Sequence, residues 1–332
     1  MYSIIVPVYN RPDEVKDLLE SLQEQTDNDF EIILVEDGST IPALPDNYDA
    51  GSLRLKYYKK SNEGRSIARN YGIERAEGDF FIFVDSDCIL PPDYIEQLKR
   101  SREENPADCF GGPDAAHDSF TDTQKAINYA MTAFLTTGGI RGGKVSMEKF
   151  TPRTFNMGFS RAVYEKTGGF REMFSEDIDM STRIRLNGFS ITLYPDVKVF
   201  HKRRVDMKKF WKQVHVFGQS RITLELLYPG SMKLVHWLPA VFTIGAALLI
   251  IGSFFWHWLI IPLLIYLIAL WIGGLMTTRS VKIATQGVGA AMVQLVGYGT
   301  GFIKAYVTKI IFRKGRDEAK EREIRKGENE GL

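Results

Sequence analysis

Short apolar runs alternate with helical patterns over the first 90 residues of the chain. Runs rich in Ile, Val and Phe predict β-strands at Ser3–Val8, Glu31–Val35 and Phe80–Val84. Between them, apolar residues recur at helical spacing in Pro12–Glu24 and Gly64–Ala76. Strands that alternate with helices favour an α/β fold with a mostly parallel central sheet, and such sheets bind ligands at the carboxyl ends of their strands.

The pattern changes after residue 110. Residues 111–153 are rich in Gly, Thr and Ser, and we expect a mobile connection there. A helix is predicted over Glu176–Gly188, with Gly188 as its C-terminal stop. Strand-like runs follow at Ile191–Tyr194 and Val197–Phe200.

Long uncharged stretches mark the C-terminal third. Residues 234–278 are 45 consecutive positions without Asp, Glu, Lys or Arg, and residues 283–303 are another 21. Because a membrane-spanning helix needs about 20 mostly apolar residues, the first stretch predicts two spans, near Val235–Phe254 and Trp258–Met276. The third run, Gly287–Ile303, is richer in Gly and Ala, and its pattern is compatible with a span, a re-entrant segment or an interfacial helix.

A nearly neutral total charge hides an uneven distribution. The chain of 332 residues has 42 Lys and Arg against 41 Asp and Glu. Residues 1–200 hold 23 basic and 33 acidic residues, a net −10, and the rest holds 19 basic and 8 acidic residues, a net +11. Between His201 and Arg221, seven basic residues alternate with aromatic ones, which predicts an amphipathic segment on anionic lipid, with a solvated helix as the alternative.

Acidic side chains follow two of the predicted strands. Asp85-Ser86-Asp87 comes directly after the strand Phe80–Val84. Two carboxylates at a strand end suit Mg²⁺ or Mn²⁺, although Asp-x-Asp triplets are also frequent in turns. Asp37 ends the second strand, where a carboxylate can accept a hydrogen bond from a base or a ribose hydroxyl.

Three further positions carry candidate chemistry. Arg69 lies in the helix that follows Asn62-Glu63-Gly64 and suits a phosphate or a base, or only a surface ion pair. Glu176-Asp177 opens a helix, where the acids either complement the helix dipole or include a general base for an attacking hydroxyl. His201 suits a ligand of the same ion or a member of the basic patch.

Taken in order, these motifs resemble the family 2 glycosyltransferases, which have the nucleotide-diphospho-sugar transferase (GT-A) fold. The resemblance covers about residues 1–205 and rests on Val6-Pro7-Val8-Tyr9-Asn10, Val35-Glu36-Asp37-Gly38-Ser39, Asn62-x-Gly64, Ala68-Arg69-Asn70, Asp85-Ser86-Asp87, Gly168-Gly169-Phe170, Ser175-Glu176-Asp177 and His201. The remainder is similar to succinoglycan-type glucosyltransferases, which have C-terminal membrane helices and extend lipid-linked sugars. That similarity rests on Gly138-Gly139 with Arg141, His201-x-Arg203-Arg204 and Tyr298-Gly299-x-Gly301-Phe302.

The resemblance implies a nucleotide site at the first two strand ends. Pro7, Tyr9 and Asp37 would border the nucleobase and ribose, and Arg69 would lie near the base or the diphosphate. The chain departs from the commonest family pattern at Glu36, where Asp is frequent.

The resemblance also implies a metal site and a base. Asp85, Ser86 and Asp87 would bind the donor diphosphate, and Mn²⁺ or Mg²⁺ would be held by Asp85, Asp87 and His201. Asp177 would be the catalytic base, with Glu176 as a second acid. Three residues would face the acceptor or the membrane: Arg203, Arg204 and Trp211.

The activity implied is inverting, metal-dependent transfer of one sugar from a UDP-sugar to a membrane lipid-linked saccharide or glycolipid. A single transfer is expected because the Gln-x-x-Arg-Trp box of processive synthases is absent from the sequence. The alternative is a polyprenyl-phosphate sugar synthase with a phosphate acceptor. Membrane lipid is an expected partner and nucleic acid is not, because the basic residues lie beside the predicted spans.

We therefore predict four regions: a GT-A catalytic domain at residues 1–205, an interfacial segment at 206–232, a membrane domain at 233–312 and a charged tail at 313–332. The N-terminus lacks a signal-peptide pattern, and the two cysteines, Cys88 and Cys109, suit a reducing compartment. We expect a multi-pass protein of the bacterial cytoplasmic membrane, with its catalytic domain facing the cytoplasm.

Overall fold

The computed structural model describes residues 1–45, 47–115, 121–138, 150–201 and 206–313, and only the backbone of Ala115 and His201. The chain divides into two compact units. Unit 1 comprises Met1–Asp118 and Lys149–Lys202, and unit 2 comprises Ser119–Glu148 and Arg203–Leu332. Unit 2 therefore takes a segment from the middle of the chain in addition to the C-terminal part.

A seven-stranded sheet forms the centre of unit 1. Its strands are β1 (Tyr2–Val8), β2 (Phe30–Asp37), β3 (Leu55–Lys60), β4 (Phe80–Phe83), β6 (Cys109–Gly111), β8 (Met157–Ser160) and β9 (Ile191–Leu193), in the spatial order β3-β2-β1-β4-β8-β6-β9. Neighbouring strands are parallel except where β8 lies antiparallel between β4 and β6. This confirms the predicted mostly parallel sheet, and β1, β2 and β4 are the three strands predicted near the N-terminus.

Helices cover both faces of this sheet. They are α1 (Pro12–Gln23), α2 (Arg65–Ile73), α3 (Tyr94–Glu104), α6 (Arg161–Thr167) and α7 (Glu176–Leu186). Consecutive strand residues point to opposite faces, and both Ile4 and Ile5 are fully buried. Ile4 belongs to one apolar core with Leu18 of α1, and Ile5 belongs to a second core with Ala68 of α2. Burial on both faces explains why β1 is an uninterrupted apolar run.

A second, three-stranded sheet lies beside the end of β4. Its strands are β5 (Cys88–Ile89), β10 (Val199–His201) and β7 (Asp114–Ala115), in the order β5-β10-β7. β10 pairs antiparallel with β5, so that the backbone of His201 lies opposite that of Cys88. The chain after Asp85-Ser86-Asp87 is thereby joined to the last strand of unit 1.

Unit 2 is helical in the part that the structure describes. Its helices are α4 (Asp122–Thr132), α5 (Phe134–Thr137), α8 (Met207–Leu227), α9 (Leu234–Ser253), α10 (Ile261–Thr278, preceded by a 3₁₀ turn at His257–Ile260) and α11 (Val281–Ala305), which continues into a π-helical turn at Tyr306–Ile311. α11 packs against α4, α8, α9 and α10. Glycines permit this close packing, because a Cβ on Gly301 would overlap the backbone of His215, and one on Gly218 would overlap the backbone of Tyr298.

The predicted mobile connection over residues 111–153 is wrong for residues 122–137, where α4 and α5 form. α4 begins with a capping box in which the Thr121 hydroxyl accepts from the Gln124 amide. Its Tyr129 hydroxyl donates to the carbonyl oxygen of Leu270 in α10 at 2.7 Å. The local composition is typical of a flexible loop. It did not predict α4 because this helix is stabilised by helices that lie far away in the chain.

Within the part of the chain that the structure describes, two helical segments are long and apolar enough to cross a membrane, Leu234–Ser253 and His257–Thr278. They match the two predicted spans to within two residues at each end. The third run forms the central part of α11, one continuous helix of 25 residues. Many of its positions are buried against other helices of unit 2, which explains its richness in Gly and Ala.

Candidate active site

Polar residues from three parallel strands meet at one edge of the large sheet. β1 pairs parallel with both β2 and β4, so their carboxyl ends face the same way. Tyr9 follows β1 and is 52% exposed, Asp37 ends β2, and Asp85 lies two residues beyond the end of β4. Pro7 lies within β1, opposite Val35 of β2. The structure thus brings these predicted donor-site residues to a common edge.

Asp37 holds the loop that leads into α2. Its carboxylate accepts hydrogen bonds from Lys60 Nζ at 2.9 Å, from the Glu63 amide at 3.0 Å and from the Gly64 amide at 2.8 Å. Gly38 follows with φ of +70°, and a Cβ there would lie 2.5 Å from the Asn62 backbone nitrogen. These three hydrogen bonds hold the Asp37 carboxylate, which is 5% exposed, against the chain that leads into α2.

Glu36, the departure from the common family pattern, is buried beneath this edge. Its carboxylate accepts from the Ala43 amide at 2.9 Å and from the Tyr57 hydroxyl. Burial and this interaction raise the pKa of the Tyr57 hydroxyl, which therefore stays protonated and donates. Glu36 thus ties the chain after β2 to β3.

Arg69 is the centre of a buried ionic network. Its side chain is 0% exposed, and Nη2 lies 2.6 Å from Asp85 Oδ1 while Nη1 lies 3.0 Å from Glu176 Oε1. The guanidinium carbon lies 5.7 Å from the centroid of the Phe170 ring. A buried guanidinium is tolerated only when carboxylates compensate its charge. Arg69 therefore links α2, the chain after β4 and the start of α7.

The Ala68-Arg69-Asn70 and Gly168-Gly169-Phe170 motifs contact each other. Asn70 Nδ2 donates to the Phe170 carbonyl oxygen, and the Phe170 amide donates to Asn70 Oδ1, both at 2.8 Å. A Cβ on Gly169 would overlap the Asn70 amide group. Two motifs about 100 positions apart thus form one joint that holds the chain leading to α7.

The acid pair at the start of α7 has two different environments. Glu176 is 2% exposed, and its second oxygen accepts from Arg65 Nη2 at 2.9 Å. Asp177 is 13% exposed, and Oδ2 lies 3.1 Å from Arg153 Nη1. Each oxygen of Glu176 therefore accepts from a guanidinium group, whereas the Asp177 side chain is 13% exposed.

The Asp85-Ser86-Asp87 segment offers hard oxygen ligands. Asp85 is 31% exposed, with one oxygen bound to Arg69. Burial and the nearby carboxylates of Asp87 and Asp85 raise the pKa of the Cys88 thiol, so Cys88 does not supply a thiolate. No group of three metal-ligating side chains occurs among the described residues. Asp85 and Asp87 are carboxylates of the kind that Mg²⁺ or Mn²⁺ binds, and the backbone of His201 lies opposite that of Cys88, the residue after Asp87.

Other predicted site residues are either outside the described residues or on unit 2. Arg203 and Arg204 are outside the described residues, as are Gly139 and Arg141, and the His201 side chain is not described. Trp211 is on α8 in unit 2, where it is 38% exposed and stacks on His215 with ring centroids 6.5 Å apart.

The sequence patterns did not single out the cationic partners of the acids. Arg65 falls within the predicted helix Gly64–Ala76 and Arg153 at the end of the expected connection, and neither is assigned a role from the sequence. Asp179, fully buried between Arg171 at 3.2 Å and Arg183 at 2.9 Å, was also missed. The spacing of Asp179 and Arg183, four apart on a helix, is the one local signal that predicts such a pair.

Comparisons with known proteins agree with this geometry. Residues 3–168, half of the chain, match the model of "Glycosyl transferase family 2". Putative glycosyltransferase EpsH of Bacillus subtilis (strain 168) is 42% identical over 101 residues, which are 30% of this chain and 29% of EpsH. Glycosyltransferase GlyA of Streptococcus pneumoniae serotype 4 is 36% identical over 112 residues, which are 33% of this chain and 16% of GlyA. The chain thus matches less than a third of the length of either relative.

A solved structure is similar over most of the chain. Mannosyltransferase PcManGT from Pyrobaculum calidifontis, in complex with GDP-Man and Mn²⁺, superimposes with a TM-score of 0.55 at 15% identity, covering 93% of this chain and 87% of that one. At this identity the likeness shows the fold, which is GT-A-like. The match of the family model to half of the chain shows that the chain belongs to glycosyl transferase family 2.

Proposed function

We propose that this glycosyltransferase transfers one sugar, with inversion, from a UDP-sugar to a saccharide linked to a membrane lipid in a bacterium. The observation that carries the proposal is the network at the sheet edge, in which Arg69 joins Asp85 to Glu176 beside Asp177. In this arrangement Asp85 is the carboxylate proposed for the donor, and Asp177 is the partly exposed carboxylate proposed for the acceptor.

Asp177 acts as the general base in this proposal. It takes the proton of an acceptor hydroxyl, whose oxygen forms a new bond to the anomeric carbon of the donor sugar. The bond between that carbon and the diphosphate oxygen breaks, and its electron pair leaves with UDP. The contact with Arg153 at 3.1 Å holds the Asp177 carboxylate in place, and its exposure of 13% leaves an edge for the acceptor.

Asp85 and Asp87 are the proposed metal ligands, with His201 as the third. Mn²⁺ or Mg²⁺ bound there would neutralise the negative charge of the diphosphate. Support comes from the oxygen chemistry of the segment and from the Mn²⁺ in the PcManGT complex. Arg69 fixes one oxygen of Asp85 and so leaves the other for the ion. Pro7, Tyr9 and Asp37 are the proposed contacts of the nucleoside.

A membrane-bound acceptor is proposed because of unit 2. In the most apolar part of each of its two apolar helices, only 22% and 17% of the residues are buried inside the protein. The exposed apolar surfaces of these helices suit contact with lipid. Trp211, Arg203 and Arg204 are the proposed residues near the acceptor or the membrane surface. The proposed location is the bacterial cytoplasmic membrane, with the catalytic unit in the cytoplasm.

The test is to incubate the detergent-extracted protein with Mn²⁺, a panel of UDP-sugars and a lipid extract, and to measure UDP release. Asp177→Asn is expected to abolish transfer while UDP binding survives, and Asp196→Asn, on an exposed turn, is the matched control. A fully active Asp177→Asn variant would remove the base assignment and favour the phosphate-acceptor alternative, which needs no base.

A further inference from the structure

Arg65 differs from the other cations of the candidate site in its exposure. Arg69 is fully buried between two carboxylates, and Arg153 is bound to Asp177 and 25% exposed. The side chain of Arg65, at the start of α2, is 53% exposed. It therefore presents a guanidinium that a ligand can reach.

Most of the donors of Arg65 are available to a ligand. An arginine has five N–H donors, and within the described parts of the chain Arg65 makes one hydrogen bond, from Nη2 to Glu176 Oε2 at 2.9 Å. The Phe174 ring, itself 55% exposed, has its centroid 5.9 Å from the guanidinium carbon. One carboxylate oxygen and one ring thus orient the guanidinium and leave most of its N–H donors for a ligand.

The charge of Arg65 is coupled to both chemical ends of the site. Burial lowers the pKa of Arg65, but attraction to Glu176, Asp85 and Asp177 outweighs this effect and the pKa is raised. Asp85 is the proposed metal ligand and Asp177 the proposed base. Glu176, which Arg65 contacts at 2.9 Å, directly precedes Asp177 in the chain, and its other oxygen contacts Arg69, the partner of Asp85.

We propose that Arg65 binds the diphosphate of the sugar donor and stabilises the negative charge that develops on it, an assignment that rests on the function proposed above. As the bond to the anomeric carbon breaks, its electron pair moves onto the outer phosphate oxygen. A planar guanidinium with parallel N–H groups is suited to that oxyanion, and no proton needs to be transferred.

Glu176 has a positioning role in this arrangement. One of its oxygens accepts from Arg65 and the other from Arg69, at 2.9 and 3.0 Å. It therefore sets the distance between the guanidinium offered to the donor and the one that orients Asp85. This gives a role to an acid that precedes the proposed base and whose two oxygens both accept from arginines.

The experiment measures binding of UDP and of uridine to the full-length protein in detergent with Mn²⁺, by isothermal titration. Arg65→Ala is expected to weaken UDP binding by about 10-fold or more, since it removes charge-assisted hydrogen bonds. Uridine, which lacks phosphate, is expected to bind within about 2-fold of the wild-type affinity. Arg65→Lys keeps the charge without the fork and is expected to recover part of the loss.

The matched control is Arg100→Ala, since Arg100 is 56% exposed and its contact with Glu104 is 3.8 Å long. UDP affinity unchanged in Arg65→Ala would overturn the assignment of Arg65 and leave the proposed function standing. Equal losses of UDP and uridine affinity would also overturn it, since they would indicate a structural role. Wild-type protein that does not bind UDP would contradict both the assignment and the proposed donor class.

Discussion

Arg69 Nη1 lies 3.0 Å from Glu176 Oε1, and the two side chains are 0% and 2% exposed. The pair connects positions 107 apart in the chain. Because each charge has left water, each depends on the other: removal of one partner leaves an uncompensated charge in the interior, at a cost of about 3 kcal/mol or more.

Glu176→Gln is therefore expected to lower the free energy of unfolding of unit 1 by about 3 kcal/mol. Urea unfolding followed by tyrosine fluorescence or circular dichroism measures the loss. Glu104→Gln is the control, because its carboxylate is exposed and its contact with Arg100 Nε is long, at 3.8 Å. A change below about 0.5 kcal/mol is expected there. Equal stability of the two variants would contradict the account of the buried pair.

The lowered pKa of Glu31 predicts how the stability of the protein depends on pH. Burial raises its pKa, but hydrogen bonds from Lys56, Ser3 and the Glu77 amide outweigh burial and hold the pKa below 4.5. A lowered folded-state pKa stabilises the protein above pH 4.5, and this contribution is lost as the pH falls through the folded value. Glu31→Gln should therefore be less stable than wild type at pH 7, and the difference should shrink below pH 4.5. A difference that grows in acid would contradict this.

Gly169 tests the joint between the two family motifs. Its φ is not positive, so alanine is excluded by space: the added Cβ would overlap Asn70. Gly169→Ala is expected to cost about 1 to 3 kcal/mol and to weaken nucleotide binding by displacing the start of α7. Gly289→Ala, where a Cβ meets open space, should be neutral or slightly stabilising. Thermal melting checks both, and an undisturbed Gly169→Ala variant would show that the joint can yield.

Metal removal tests the donor side of the site. EDTA should stop sugar transfer, and Mn²⁺ or Mg²⁺ should restore it. Asp85→Asn and Asp87→Asn should each weaken Mn²⁺ binding, measured by electron paramagnetic resonance, because each loses a charged oxygen ligand. Asp49→Asn, in the loop before β3, is the control. Transfer that persists in EDTA would sink the proposed metal role.

The sequence predicted the sheet, and the position of Asp37 and Asp85 at its edge, for a physical reason. β1, β2 and β4 are buried on both faces, so burial forces long apolar runs that can be read directly. The acids at their carboxyl ends then follow from chain direction alone. The sequence did not predict the partners of the acids in the site. The contacts of Arg65 with Glu176 and of Arg153 with Asp177 join distant segments of the chain, and such contacts produce no periodic pattern in the sequence.

The same limit applies to α4. Its residues form a helix within a stretch whose composition is typical of loops, because Tyr129 and its neighbours pack on α10 and α11. The predicted spans, in contrast, needed only length and absence of charge. Local composition thus predicts the strands of a buried sheet and the apolar helices that could lie in lipid. It does not predict α4, whose Tyr129 contacts a residue 141 positions later in the chain.

The pairing of His201 with Cys88 sets an order of events during synthesis. The N-terminal part of the sheet can form as soon as β4 has been made, but β5 gains its partner only when β10 emerges. The segment that carries Asp85 and Asp87 therefore acquires its final support late, after 201 of the 332 residues have been translated and shortly before α9 begins at Leu234. Chains released before residue 201 would keep a recognisable sheet but lack the strand that completes the proposed metal site.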